Sequence, residues 1–408
     1  MTNCEILIVG NNIITGRIPD TNSNFLAKKL FELGINLVRI TTISDNKAII
    51  EATLKEVLSR SDLVFIAGGL GPTPDDNTVA VAAKIFNQRL ILDESLLAQI
   101  EKYYAKINKP MPEAQTRQAL VPQGAIVLEN PVGTAPGLIL KQANKVLILL
   151  PGSPTELEKI FLTGVIPYLE STFSLTPLYS KVIRTTNITQ AEIFEKVARY
   201  FVRHKGIEIT YLTQPTGVDI VIWTDRDKKL LTACEKEIVA RVKPYVYGFD
   251  TTTIEETVGQ ILKKKNLTLA TAESCTAGLI ADRITNVPGS SGYFIGGVVA
   301  YSNEIKKAIC RVQPETLKKF GAVSKETALE MATGIKENYK TDIGLSVTGI
   351  CGPTGGTKTK PVGLVYLGIA TKSDAKYEER IFFGNRRLIK EQSAMAALDF
   401  LRRTLESG

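Results

Sequence analysis

The stretch TLATAESCTAGLIADRITNVPGSSGYFIGGVVAYSNEIKKAI, residues 268–309, decides how the last third of the chain folds. It opens on a short apolar run ending at Glu273 in a polar turn, the pattern of a buried strand, while GLIADRIT (278–285) is amphipathic and reads as a helix. Glu273, Ser274, Cys275 and Thr276 therefore occupy a strand-to-helix turn. A nucleophile can be held exposed there, with helix amides close enough to bind an oxyanion or a phosphate. On position alone, Ser274 and Thr276 serve equally well as helix caps.

A nucleophilic serine needs a base, and the only histidine of the chain, His204, lies outside this segment. Lysine is then the natural candidate, because burial disfavours its charged form and gives a Ser–Lys arrangement. The run VAYSNEIKK places Tyr301, Lys306 and Lys307 just after the next strand. Further on, DIGLSVTGICGPTGGTKTKPVG (342–363) reads as a strand entering a glycine-rich loop. Gly349, Gly352, Gly355 and Gly356, interleaved with Thr348, Thr354 and Thr357, allow backbone N–H groups to face a phosphate or carboxylate. Neither the P-loop GK[ST] nor GxGxxG is present.

Outward from this core, TTTIEETVGQILKKK (251–265) reads as a helix with a threonine run and two acids at its start, and the clearest boundary in the chain precedes it. Residues 171–250 carry strand-like KVIRTTNI, IEITYLTQ and VDIVIWTD with helices around Glu192–Phe201 and Leu230–Val242, a small α+β, KH-like module. Its glycines never fall in the GxxG spacing with which a KH domain clamps RNA, so a spacer or dimerisation module is expected. Residues 1–170 alternate strands (EILIVG, INLVRITTI, DLVFIAGG) with helices (Thr21–Leu33, Ile49–Leu58), which implies a parallel sheet. The expected class is α/β: a three-layer parallel-sheet domain (1–170), the α+β module (171–250) and an α/β domain (251–408).

Composition narrows the classes. The 408 residues are 44% hydrophobic and 23% charged, as in soluble globular proteins. No apolar run approaches the ~18 residues of a membrane span, and no basic-then-apolar leader precedes ILIVG, so a cytoplasmic protein without membrane contact is expected. Five scattered cysteines without a CxxC pair indicate neither a disulfide framework nor a zinc site. The net charge of +8 is spread along the chain, with Lys263-Lys264-Lys265 the only dense run, so nucleic acid is not an expected partner.

The runs TAESCTAG, PGSSGYFIGGVVAYSNEIK, GAVS (321–324), VTGICGPTGG and KPVG (360–363) together resemble the CinA C-terminal family, the PncC-type nicotinamide mononucleotide deamidases, over about residues 254–404. The resemblance implies Ser274 as nucleophile, Lys306 as general base and Tyr301 assisting. It puts Ser291 and Thr348, with Thr276 and Gly349, on the oxyanion or substrate side. Arg386, in FFGNRR, is implied to help bind the nucleotide. The implied reaction hydrolyses nicotinamide mononucleotide to nicotinic acid mononucleotide and ammonia without a cofactor, in pyridine nucleotide recycling. Three departures stand out: Ala277 where glycine is usual, Cys351 where alanine is usual, and Asn385 where aspartate is usual. Cys275 is a rival nucleophile on chemistry alone.

In the first segment, GGLGPTPDDNT (68–78) follows a strand and precedes a helix. With GRIPDTNSNFLAKKLFELG, SDN (44–46), RQALVP, NPVGTAPG (130–137) and LLPGSPTEL (149–157), it resembles the CinA N-terminal domain, a relative of the MoaB/MogA molybdopterin-binding fold. Some members of that family hydrolyse ADP-ribose with a divalent metal. By resemblance such a site would use Gly68, Gly69 and Gly71, with Asp75 and Asp76 as metal ligands and Asp20 and Asn22 nearby. Asn12 stands where an acid is expected, and an amide brings no negative charge to a cation. The family also implies a homodimer. The competing reading is a competence- or damage-inducible regulatory binding protein with vestigial sites; a molybdopterin-binding role rests on fold relationship alone.

Overall fold

Alternation along β1 (Asn3–Val9) sends Leu7 and Val9 to one face of a sheet and Ile6 and Ile8 to the other. In the computed structural model, which describes residues 3–201 and 206–407, β1 is the parallel partner of β2 (Asn36–Ile43) and β3 (Leu63–Ala67). A short antiparallel pair, β4 (Leu90–Leu92) and β5 (Leu120–Pro122), lies outside this sheet. With β6 (Ile126–Leu128), β7 (Gly137–Gln142) and β8 (Lys145–Leu150) the sheet order is β2-β1-β3-β8-β7-β6. Leu7, Val64, Ile66 and Leu147 pack with Ile50, Leu54, Val81 and Ile100 of the helices Lys47–Arg60, Thr78–Ile85 and Glu94–Lys106. Ile6, Phe65 and Ile148 pack on the opposite side with Leu26, Leu157, Phe161 and Leu169. The three layers and the parallel β2-β1-β3-β8 core are those expected. The sheet is mixed, however, because β7 and β6 are antiparallel. Only Ala143 and Asn144 join β7 to β8, a link too short for the crossover that a parallel pair needs.

The chain divides into two units, Met1–Tyr179 and Ser180–Gly408, so the α+β module shares a unit with the last domain. Its sheet, in the order β10-β11-β9-β12, comprises β9 (Tyr179–Thr185), β10 (Glu208–Gln214), β11 (Gly217–Thr224) and β12 (Val246–Phe249). Ile183, Ile220 and Ile222 pack with Ile193, Val197, Cys234 and Ile238 in a core of its own. Polar ties join it to the last helix: Asn187 Nδ2 donates to Asp399 at 2.6 Å, and the buried Arg402 donates to the Pro244 carbonyl at 2.9 Å. His204 lies outside the described residues.

The last domain is a second three-layer arrangement. β13 (Leu269–Glu273) is parallel to β14 (Phe294–Val299) and β15 (Ile343–Gly349), and β16 (Leu364–Ala370) and β17 (Ala375–Ile381) add an antiparallel edge. Leu269, Leu345, Val347 and Val365 face the helices Ile254–Lys265, Leu279–Thr285 and Arg386–Ser407. Ala270 and Ala272 face Met331 and Ile335 on the other side. The first of these helices begins with a capping box, Thr253 and Glu256 each accepting the other's backbone N–H. Among the described residues no helix is long and apolar enough to cross a membrane.

Candidate active site

β13 ends at Glu273, which is 1% exposed although charged. Its carboxylate accepts three backbone N–H groups, from Gly278 at 3.0 Å, Ile280 at 3.1 Å and Ala281 at 2.9 Å. Glu273 thereby satisfies the first turn of Leu279–Thr285, whose N-cap, Gly278, has no side chain to do so. Neither Ser274 nor Thr276 caps the helix, and the amides taken by Glu273 are not free for an oxyanion. The sequence carries a signal for this arrangement, an acid just before a helix N-terminus, but the expectation was placed on the serine. The turn then runs through Ala277 at φ +53° and Gly278 at φ +93°. The left-handed backbone explains why glycine is usual at position 277. Ser274 stays in the sheet ladder through its N–H to the Val347 carbonyl at 2.9 Å.

Lys306 comes from the neighbouring strand's exit. After β14 the chain turns at Ala300 and Tyr301 into the helix Asn303–Ala308, capped by Ser302. On it Lys306 points inward, 1% exposed, whereas Lys307 is exposed. Lys306 Nζ lies 3.0 Å from Ser274 Oγ and donates to the carbonyls of Ala300 at 2.7 Å and Tyr301 at 3.1 Å. Burial pushes its pKa below the usual lysine value, only partly opposed by the Cys310 and Cys275 thiols and by Glu304. A neutral amine has two N–H bonds and one lone pair. In the neutral form, N–H bonds directed to the two carbonyls would leave the lone pair for the Ser274 hydroxyl proton.

The facing wall is built from β15 and the glycine loop. The buried Thr348 donates its hydroxyl to the Ala322 carbonyl at 2.7 Å, and Lys360 Nζ donates to the carbonyls of Phe320 and Val323, both at 2.6 Å. Arg386 spans the mouth, donating to the Gly352 carbonyl at 2.8 Å and to the Tyr301 hydroxyl at 3.0 Å. Asn385 does not hold Arg386; it caps the helix by accepting the Leu388 N–H at 2.9 Å. Ser274, Tyr301, Lys306, Thr348, Gly349 and Arg386 thus line one cavity of about 260 Å³. Gly352, Thr354 and Gly355 line it too, and among the described residues their amides have no backbone acceptor.

Two expected residues are not brought there. Ser291 is exposed in a turn before β14, whereas the cavity lies beyond that strand's other end, roughly 20 Å along a strand of this length. Thr276 is buried but does not line the cavity, and its hydroxyl has no partner. Cys275 does line it, but the neighbouring Cys351 side chain and its burial raise its pKa well above the usual thiol value, which makes it the poorer nucleophile.

In the first unit, Gly68 and Gly69 have φ of +107° and +72°, and a Cβ on Gly68 would sit 2.1 Å from the Val9 carbonyl oxygen. Gly152 adjoins Gly68, and Asn22 donates to the Gly152 carbonyl at 2.8 Å, so Asn22 does reach the glycine turn. Asp20 instead accepts the Ser23 N–H at 2.9 Å. Gly69, Gly71, Asp76 and Arg117 line a cavity of about 50 Å³ that Asp75 does not reach. Asp76 already accepts from the Thr73 N–H at 3.0 Å and hydroxyl at 2.6 Å. Asn12 is exposed on the short helix Asn11–Ile14. Among the described residues no group of three or more His, Cys, Asp or Glu side chains converges. The donor set therefore does not fit a divalent metal held by the protein.

Comparison with known proteins finds a match at each end of the chain. Residues 251–405 match the CinA C-terminal domain and residues 5–171 the probable molybdopterin binding domain. A CinA-like protein of Kosmotoga olearia is 44% identical over 98% of both chains, and a putative competence-damage inducible protein of Caldicellulosiruptor saccharolyticus is 43% identical over the same shares. The crystal structure of a CinA protein of unknown function from Thermoplasma acidophilum is 37% identical, covering 41% of this chain and 97% of that one, with a TM-score of 0.37. With a molybdopterin-binding-like domain at one end and the Ser274–Lys306 domain at the other, the chain belongs to the CinA family.

Proposed function

We propose that the last domain is a serine–lysine amidohydrolase acting on nicotinamide mononucleotide. The observation that carries this reading is the 3.0 Å contact between Ser274 Oγ and the buried Lys306 Nζ, which also donates to the Ala300 and Tyr301 carbonyls. Neutral Lys306 takes the Ser274 proton as Oγ attacks the carboxamide carbon. The C–N bond then breaks, Lys306 returns its proton to the leaving nitrogen, and ammonia departs from an acyl-enzyme. Water, deprotonated by Lys306, hydrolyses the ester to the carboxylate and frees Ser274. Every proton and electron pair in these steps is carried by Ser274, Lys306 and water, so no cofactor enters.

The loop amides of Gly352, Thr354 and Gly355 are suited to the developing oxyanion and to the substrate phosphate. Arg386, held by Gly352 and Tyr301, supplies the positive charge that a nucleotide needs. The nucleotide itself is supported by the family resemblance. Incubation of the protein with nicotinamide mononucleotide should release ammonia, and Ser274→Ala and Lys306→Ala should each lose about 10³-fold or more in kcat. Absence of turnover in the wild type would overturn the reading.

The glycine turn of the first unit favours an anionic ligand. ADP-ribose hydrolysis there would need metal ligands that Asp76 alone does not provide. Assay with ADP-ribose, with and without divalent metal, is expected to give no metal-dependent product.

A further inference from the structure

We propose that Cys275 and Cys351 are a peroxide-sensitive thiol pair, closing to a disulfide inside the Ser274 cavity. Cys275 follows Ser274 at the exit of β13, and Cys351 lies just beyond β15, the neighbouring parallel strand. Adjacent strands lie about 4.8 Å apart, and Cys275 and Cys351 each lie two residues beyond the end of theirs, Glu273 and Gly349. Both residues line the cavity, and Cys351 Sγ donates to the Cys275 carbonyl oxygen at 3.9 Å.

The two sulfurs have complementary characters. The neighbouring Cys275 side chain, together with the charges of Arg386 and Lys390, holds Cys351 below the usual thiol range against the opposing effect of its burial. The neighbouring Cys351 side chain and burial push Cys275 up. Cys351 is thus the sulfur that reacts as thiolate, and Cys275 the one that resolves. The remaining cysteines are free and buried without such a partner: burial pushes Cys234 and Cys310 up to about 11 and Cys4 higher still.

Hydrogen peroxide is the oxidant. The Cys351 thiolate attacks one peroxide oxygen; the S–O bond forms, the O–O bond breaks, and hydroxide leaves to take up a proton as water. Cys275 then attacks the sulfenic sulfur. The S–S bond forms, the S–O bond breaks, and the sulfenic oxygen, which already carries one proton, leaves as water with the Cys275 proton. Two thiols and one peroxide give one disulfide and two waters, the thiols supplying two electrons. Drawing the two sulfurs to about 2.05 Å moves the turn that carries Ser274 and the loop that carries Gly352. A shift near 1 Å costs about 10²-fold in turnover, a consequence that rests on the amidase reading.

The test is peptide mapping of the full-length protein under non-reducing conditions after graded hydrogen peroxide, with and without later dithiothreitol. A linked Cys275–Cys351 peptide pair is expected at peroxide concentrations that leave Cys4, Cys234 and Cys310 alkylatable, and dithiothreitol should remove it. In Cys351→Ala no linkage should form and Cys275 should stay a free thiol. Absence of the linkage in the wild type, or oxidation of Cys351 to the sulfinic acid without it, overturns the proposal. This readout needs no turnover, so it stands even if the protein proves inactive on nicotinamide mononucleotide. Where ammonia release is measured, peroxide should lower it at least tenfold in the wild type, reversibly, and less than twofold in Cys351→Ala. Equal loss in both proteins would show that the pair does not govern the site.

Discussion

Replacing Glu273 by glutamine tests whether one buried carboxylate builds the nucleophile turn. In the wild type, one oxygen of Glu273 accepts from Gly278 and Ile280 and the other from Ala281. Glutamine has a single acceptor oxygen. However its amide is turned, its NH₂ faces at least one of these N–H donors, and at least one bond is lost. A hydrogen bond to a charged group contributes about 1.5–3 kcal/mol, and the surviving bonds weaken towards the neutral value of about 1 kcal/mol. The expected loss is about 3–4 kcal/mol. For a unit of this size that corresponds to a fall in Tm of about 10 °C. Urea unfolding of the full chain measures it as a lower midpoint at unchanged slope. The change should be confined to the transition of the unit containing residues 180–408. Glu273→Asp should also destabilise, because it keeps the charge but is one methylene too short to reach all three amides. A Glu273→Gln midpoint within about 0.5 kcal/mol of wild type would refute the argument, since three charge-assisted bonds cannot be lost or weakened so cheaply.

Four more outcomes are expected. Ala277→Gly should stabilise the protein by about 0.5–1 kcal/mol, as relief of a left-handed alanine outweighs glycine's greater unfolded-state entropy; Ala277 is exposed, so no packing is lost, and a thermal melt reads the sign. In a pH profile of kcat/KM, activity should rise with pH along a limb below the ordinary lysine value of about 10.4, because neutral Lys306 is the active form and burial depresses its pKa. The same depression means that the unfolded chain binds more protons, so stability rises with pH between the folded and unfolded pKa values; Lys306→Met should flatten that part of a urea-midpoint series, and a profile falling with pH would contradict the assignment. Arg386→Ala should raise KM for the nucleotide roughly tenfold or more, with a smaller effect on a phosphate-free carboxamide, as removal of a charge that binds the phosphate predicts.

Local sequence determined the strand-to-helix turn at Ser274, the layered α/β class and the parallel strand cores, because these follow from side-chain periodicity within a few residues. It left the choice between a capping and a reactive serine open, and spacing did not separate Lys306 from Lys307. Burial separates the two lysines. Lys306 meets Ser274 across 32 residues, and only the packed β13–β14 pair takes its amine out of water and lowers its pKa. Tertiary structure also placed Ser291 at the wrong end of β14, gave capping to Glu273, and brought together Cys275 and Cys351, which are 76 residues apart. The physical reason is common to all of these. Periodicity tells which face a residue shares with its neighbours, whereas the order of strands in the sheet tells which distant residues it meets.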